Sequence, residues 1–286
     1  MMSATRRSSK PTGQPQGYDL RRLLERRTPA VMGVLNITPD SFSDGGQFDT
    51  PERALAQAGR MIAEGADILD IGAESTRPYG GQQAVSAEEE MQRLRAVLAD
   101  VVALGTPVSI DTMKARVADW ALGQGVAMAN DVWGLQRDPD MAAVVASHGV
   151  PVIVMHNRDT VDPALDIIAD IRAFFDRTLE IATKAGISGD KIVLDPGIGF
   201  GKTPEQSMTA LARLTTLQGF GCPILVGASR KRFIASVVAS EPQQRLGGSI
   251  AAHLLAGQNG AKIIRAHDVA ETVQALRVAA AIEDKR

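Results

Sequence analysis

Lys191-Ile-Val-Leu-Asp-Pro-Gly-Ile-Gly-Phe-Gly-Lys-Thr-Pro204 holds one complete joint of the fold. Lys191 to Leu194 is a short, β-branched apolar run that reads as a buried strand, and it stops at the carboxylate of Asp195. Three glycines follow. Thr203 then sets a capping hydroxyl before Pro204, a residue suited to the first position of a helix. Strand, polar tip, glycine loop and helix start lie within fourteen residues.

Outward from this joint the same order repeats. Apolar runs stand at 31–35, 67–71, 107–110, 126–129, 152–155, 191–194, 223–226 and 262–264, and helical patterns at 51–64, 86–104, 114–122, 138–148, 163–185, 204–217, 230–257 and 268–282. Thr50 before Pro51 repeats the Pro start signal, and Ser86 with Glu89 has capping-box spacing. Gly65, Gly105, Gly149, Gly186 and Gly260 fall where helices stop. The joints Gly65-Ala66-Asp67 and Gly260-Ala261-Lys262 read alike, as helix stop and strand start. Eight βα units predict an α/β fold, a closed (β/α)8 TIM barrel, as a single domain over 17–286. An open doubly wound sheet is the competing architecture, but no GxGxxG turn follows an early strand.

The 286 residues suit one barrel, which takes about 250. A net charge of −2 gives no field to gather nucleic acid or an anionic membrane, so neither partner is expected and any anion site must be local. No apolar run reaches the roughly 18 residues of a membrane span. The single cysteine, Cys222, has no partner within the chain, which fits a reducing cytoplasm, and it reads as a buried residue before Pro223. Residues 1–16 carry Arg6, Arg7 and Lys10, no acid and no apolar stripe, and read as a disordered leader rather than a targeting peptide.

In such a barrel the active site lies at the C-terminal ends of the strands. Those ends are Asn36, then Gly72 with Glu74-Ser75-Thr76-Arg77-Pro78, Asp111, Asn130, His156, Asp195, Gly227 with Ser229-Arg230-Lys231, and Arg265 with His267. Singly, each has a plainer use: Asp111 could cap the helix near Lys114, and Asn130 or Asp195 could close Asx-turns. Together they suggest a site. Asp111, Asn130 and Asp195 suit the N–H-rich edge of a flat heterocycle. Arg77, Arg265, His267 and Lys231, with Asn36, make a cationic and polar arc for phosphate or pyrophosphate.

The loop 197–203 is not a phosphate loop, because Pro196 stands where that spacing needs glycine. Its glycines let backbone approach a ligand closely, with Phe200 as a covering ring. The long loop 38–46 reads as a lid, with Phe42 as its apolar face and Gly45-Gly46 as its hinge. His148 suits a helix C-terminus and His253 reads as structural.

Six stretches carry a family likeness: residues 33–46, Gly-Val-Leu-Asn-Ile-Thr-Pro-Asp-Ser-Phe-Ser-Asp-Gly-Gly; 74–78, Glu-Ser-Thr-Arg-Pro; 109–112, Ser-Ile-Asp-Thr; 194–202, Leu-Asp-Pro-Gly-Ile-Gly-Phe-Gly-Lys; 227–231, Gly-Ala-Ser-Arg-Lys; and 265–268, Arg-Ala-His-Asp. In order, over nearly the whole chain after the leader, they resemble the dihydropteroate synthases of folate biosynthesis. The resemblance implies a (β/α)8 homodimer, a sulfonamide target that uses Mg2+. Its substrates would be 6-hydroxymethyl-7,8-dihydropterin pyrophosphate and para-aminobenzoate.

Carried onto this chain, Asp111, Asn130, Asp195 and Lys231 would hold the pterin. Asn36, Thr76, Arg77, Arg265 and His267 would hold the pyrophosphate, with Asn36 also on the metal. Phe42, Thr76, Pro78, Phe200 and Ser229 would frame the aminobenzoate, and Arg77, Lys231 and Arg265 would serve catalysis. The implied reaction is dissociative and needs no nucleophilic side chain, in keeping with the lack of a Ser-His-Asp or Cys-His candidate. This chain departs from the family pattern at Asn157-Arg158-Asp159 and at Tyr79. Two other readings compete. A methyltetrahydrofolate-type methyltransferase would not need the anion set, and a non-catalytic pterin-binding paralogue would keep Asp195 while losing the loop residues.

Overall fold

The computed structural model describes residues 20–37, 50–74 and 85–285. Eight parallel strands close in chain order: β1 (Ala30–Asn36), β2 (Ile68–Gly72), β3 (Val108–Asp111), β4 (Met128–Asp131), β5 (Val152–Met155), β6 (Ile192–Asp195), β7 (Ile224–Val226) and β8 (Ala261–Ala266), with β8 paired back to β1. This is the expected (β/α)8 barrel. The expected leader, residues 1–16, and the loop 38–46 lie outside the described residues.

Side chains alternate along a strand, so every second residue enters the barrel. Ala30, Met32, Ile68, Met128, Ile153, Val193, Leu225 and Ile263 form an apolar cluster separate from the main core, the lower layer of the interior. Leu20, from the short helix α1 (Leu20–Leu24), joins it and closes the N-terminal mouth. Two residues further along the same faces stand Asp70, Asn130, Asp195 and Arg265. The interior thus turns from apolar to charged within one layer, and the charges lie beneath the open end.

The outward residues, among them Leu35, Leu69, Ile71, Ile110, Val154 and Leu194, pack under the helices in the main core. On α7 (Ile167–Ala185), Ile167, Ile171, Phe174 and Phe175 face inward at helical spacing. Phe175 is fully buried and meets the rings of Phe174 and Phe220 edge-on, each at 5.9 Å. Phe175→Ala removes that volume from a close-packed layer, so we expect a loss of about 3–5 kcal/mol in denaturant unfolding, with the slope unchanged.

The caps form as the sequence predicts. Ser86 and Thr203 each close a capping box, on α3 (Ala87–Arg95) and α8 (Pro204–Ala212), and Gly149 and Gly186 end α6 (Met141–His148) and α7 in the left-handed conformation. Several long helical patterns break. The stretch 86–104 divides at Val97 (φ −136°) into α3 and α4 (Leu98–Ala103). The stretch 230–257 becomes α9 (Arg232–Val237), a 3-10 turn at Pro242–Gln244 and α10 (Leu246–Gln258), since Pro242 has no N–H to continue a helix. α7 starts at Ile167 rather than 163, because Asp166 accepts the Ile168 and Ala169 N–H groups. α5 (Ala115–Gly123) is capped by Asp138, not Asp111, with the Ala115 N–H 2.8 Å from its carboxylate. Cys222 is half-buried rather than buried.

Candidate active site

Arg265, on β8, reaches across the top of the barrel and organises it. Its Nε donates to Asp70 at 2.6 Å and its Nη2 to Asp111 at 2.8 Å. Asn130 Nδ2 donates to the same oxygen of Asp70 at 3.0 Å. One guanidinium therefore holds two buried carboxylates apart. Each still has an oxygen, Asp70 Oδ1 and Asp111 Oδ1, that is buried without a hydrogen-bond partner. Burial, and then the charge of Asp70, push the Asp111 carboxyl up to about 7, against the pull of Arg265.

Asp195 completes this side. It does close the Asx-type turn, accepting the Gly197 N–H at 2.8 Å, yet it also feels the charges of Lys231 and Arg265. Burial raises its pKa, while the Gly197 N–H and Lys231 draw it back. Lys231 Nζ stands 3.9 Å from the centre of the Phe200 ring, a cation–π contact that joins the loop after β6 to the loop after β7.

On the other side, Asn36 and His267 line one cavity of about 390 Å3, together with Arg230 and Asp268. Ser229 Oγ accepts the His267 N–H at 3.2 Å and lies 3.0 Å from its Nδ1. Ser229, expected beside the aminobenzoate, is thus tied to the residue expected on the pyrophosphate. Burial, then the charge of Arg265, lower the His267 pKa to about 3, so the ring is neutral near pH 7 and can offer a phosphate a hydrogen bond but no charge. The arc is cationic through its arginines and lysine alone. Arg230 pairs with Asp268 on the wall of the same cavity, its φ at +57°.

The structure brings Asn36, Asp111, Asn130, Asp195, Phe200, Ser229, Lys231, Arg265 and His267 to one end of the barrel. Phe42, Thr76, Arg77 and Pro78 lie outside the described residues. At the border of that loop, Glu74 accepts the Val85 N–H at 3.1 Å and pairs with Lys114 at 2.6 Å, which ties residue 74 to residue 85. His156 does not join the site. It follows the inward Met155, so its ring points outward to α7, where it meets Phe174 at 4.9 Å and Asp170 at 3.0 Å. His148 pairs with Asp119 at the end of α6, and the buried His253 lies 3.2 Å from the Thr272 hydroxyl.

Two residues escaped the reading of strand ends. Asp70 lies mid-strand, and only its two-residue spacing from Ile68 and Gly72 places it inside. Lys202, seen in sequence merely as the end of a glycine loop, is buried beside His156.

The family model described as pterin binding enzyme matches residues 32–267. The dihydropteroate synthase of Bacillus subtilis is 43% identical over 256 residues, covering 89% of each chain. The chain belongs to the dihydropteroate synthase family. Another family member, from Escherichia coli, is 41% identical over 262 residues, covering 89% of this chain and 92% of that one. Among solved structures, dihydropteroate synthase from Clostridium difficile in the presence of pteroic acid superposes with a TM-score of 0.85 at 46% identity, covering 89% of this chain and 97% of that one. The Xanthomonas albilineans enzyme in complex with 7,8-dihydropteroate gives 0.83 at 43% identity, covering 91% of this chain and 95% of that one. With the family, the expected reaction class replaces the methyltransferase reading.

Proposed function

We propose that this member of the dihydropteroate synthase family joins the methylene of 6-hydroxymethyl-7,8-dihydropterin pyrophosphate to the amine of para-aminobenzoate, releasing pyrophosphate and 7,8-dihydropteroate. The observation that carries the reading is the buried acceptor set, Asp111 Oδ1 above all, held beside the Arg265 guanidinium at the C-terminal end of the barrel. Such acceptors demand N–H donors, and the edge of a pterin supplies them.

Asp111, Asn130 and Asp195 fix the ring, with Lys231 at its border. Arg265, with His267 and Asn36, takes the pyrophosphate. The C–O bond breaks first, and the carboxylates stabilise the cation left at the methylene while Arg265 stabilises the departing anion. The amine, set by Phe200, Phe42 and Pro78, then forms the C–N bond and gives up a proton. Arg77 and Thr76 complete the pyrophosphate end.

Mg2+ fits this donor set. Asn36 offers a side-chain amide oxygen on the cavity it shares with His267, and Mg2+, which keeps several waters and is held largely by substrate phosphates, needs few protein ligands. The Asn36 amide oxygen would hold it, where it would neutralise charge on the leaving group. We place the protein in the cytoplasm, as a homodimer. Among the described residues no helix is long and apolar enough to cross a membrane, and Leu255, Val278 and Ile282 leave apolar surface exposed on α10 and α11 (Val269–Glu283).

The test is incubation of the purified chain with the pterin pyrophosphate and Mg2+, with and without para-aminobenzoate, followed by chromatography. Dihydropteroate and pyrophosphate in equal amounts are expected. Pterin binding with neither product would identify a non-catalytic paralogue.

A further inference from the structure

Lys202 is a basic residue that the mechanism above leaves unused; it is only 2% exposed, and burial lowers its pKa to about 7 against the pull of Asp195 and Asp170. An ammonium has three N–H donors, and three acceptors meet them: Nδ1 of His156 at 2.7 Å, the Gly197 carbonyl at 2.9 Å and the Phe200 carbonyl at 3.0 Å. His156 is set up for this role. Its Nε2 donates to Asp170, which Arg158 also reaches at 3.4 Å, so the ring proton sits on Nε2 and Nδ1 is left to accept. Burial, then the charge of Lys202, keep that ring neutral. The departure from the family pattern at Asn157-Arg158 therefore falls on the support of this cluster.

The loop that Lys202 closes lies flat on the segment after β5. Gly197 has φ +66°, and a Cβ there would stand 1.9 Å from the His156 carbonyl oxygen; at Gly201 a Cβ would stand 2.7 Å from that of Arg158. On its far side the loop presents Phe200 to Lys231, whose stem also packs on Gly199. One ammonium therefore joins the segment after β5 to two carbonyls of the segment that carries Phe200.

We propose that Lys202 is a positioning residue for the para-aminobenzoate side of the site: its buried ammonium, bonded to His156 and to the Gly197 and Phe200 carbonyls, fixes the loop that sets Phe200 against Lys231. The proposal rests on the reading of Phe200 as part of the aminobenzoate site. Without the ammonium, the two carbonyls lose a buried partner and the loop shifts toward water, taking Phe200 with it. Asp111 and Asn130 stand on strands β3 and β4 and stay in place, and Asp195, whose backbone is held in the sheet opposite Met155, loses at most the Gly197 N–H when the loop moves. The loss therefore falls on the second substrate.

The test is Lys202→Met in the full chain, with KM for para-aminobenzoate at saturating pterin pyrophosphate and the affinity for 6-hydroxymethylpterin by calorimetry. We expect that KM to rise about tenfold while pterin affinity changes less than about twofold, as for one lost charge-assisted bond set. An unchanged KM, whatever happens to kcat, overturns the proposal. So does an equal loss in KM and pterin affinity, which would mark general support of the fold. A wild-type chain that forms no dihydropteroate would instead overturn the reading of the site itself.

If Lys202→Met does not fold, nitrogen NMR of wild-type protein labelled at the lysine side chains decides. The Lys202 N–H protons should be protected from solvent exchange, and their signal should move when para-aminobenzoate joins the pterin-bound chain. Free exchange, or a signal that para-aminobenzoate leaves unmoved, overturns the proposal.

Discussion

Arg265→Met should lower kcat/KM at least about a thousandfold. Two losses combine in one side chain. The guanidinium is the shared partner of Asp70 and Asp111, and removing one member of a buried ion pair costs about 3–5 kcal/mol because the other charge is left unpaired. It is also the group placed to meet the departing pyrophosphate, and loss of one preorganised donor to developing charge costs about 10²–10³ in kcat. Arg265→Lys keeps the charge but not the fork that spans both carboxylates, so its activity should fall between the two. Steady-state kinetics beside thermal unfolding separate the losses. Arg265→Met within tenfold of the wild type would remove Arg265 from the proposed role.

The second large effect concerns Asp111. Asp111→Asn should weaken binding of 6-hydroxymethylpterin by more than about tenfold at pH 8, the order of a lost charge-assisted hydrogen bond in a buried site. The same group gives a pH signature. With its carboxyl raised to about 7 in the free protein, Asp111 must release a proton before it accepts N–H donors as an anion. Pterin affinity should therefore fall as the pH drops below about 7 and stay level above, and in Asp111→Asn that slope should vanish. Calorimetry across pH 5.5 to about 8.5, a span that brackets the raised value, checks both. Stability moves the opposite way. The unfolded carboxyl titrates near its ordinary 3.8, so between about 4 and 7 the native state binds more protons than the unfolded state. The Asp111 contribution to stability thus declines as pH rises through that window and is constant above it.

The barrel was legible because each βα unit repeats one local order, and because caps at Ser86 and Thr203 and stops at Gly149 and Gly186 need only neighbouring residues. The site was legible where a strand ends on an inward position. Asn36, Asp111, Asn130, Asp195 and Arg265 each stand two or four residues beyond an interior apolar residue, such as Met32, Met128, Val193 or Ile263, or beyond the buried Ser109. His156 fails by one residue. Ile153 and Met155 take the inward positions of β5, and His156 turns to α7. Asp70 was hidden for the converse reason, since a carboxylate within an apolar run gives no sign of its partner until β8 brings Arg265 to it. The break at Val97 was hidden because it lies inside an otherwise continuous helical pattern, whereas Pro242 is itself a stop signal that the reading of 230–257 as one helix passed over.

The neutral state of His267 also lay beyond the sequence. It follows from burial beside Arg265, Arg230 and Lys231, which β8 and the loop after β7 bring together. For the same reason a count of cationic residues overstates the charge available at the pyrophosphate end.

The most direct measurement is a crystal structure of the chain with 6-hydroxymethylpterin bound. The account predicts the N–H edge of the ring within hydrogen-bond distance of Asp111 Oδ1, with Asn130 and Asp195 also on the ring and its side arm toward Arg265 and His267. A pterin held elsewhere, or one that leaves Asp111 Oδ1 without a ligand N–H, would contradict it.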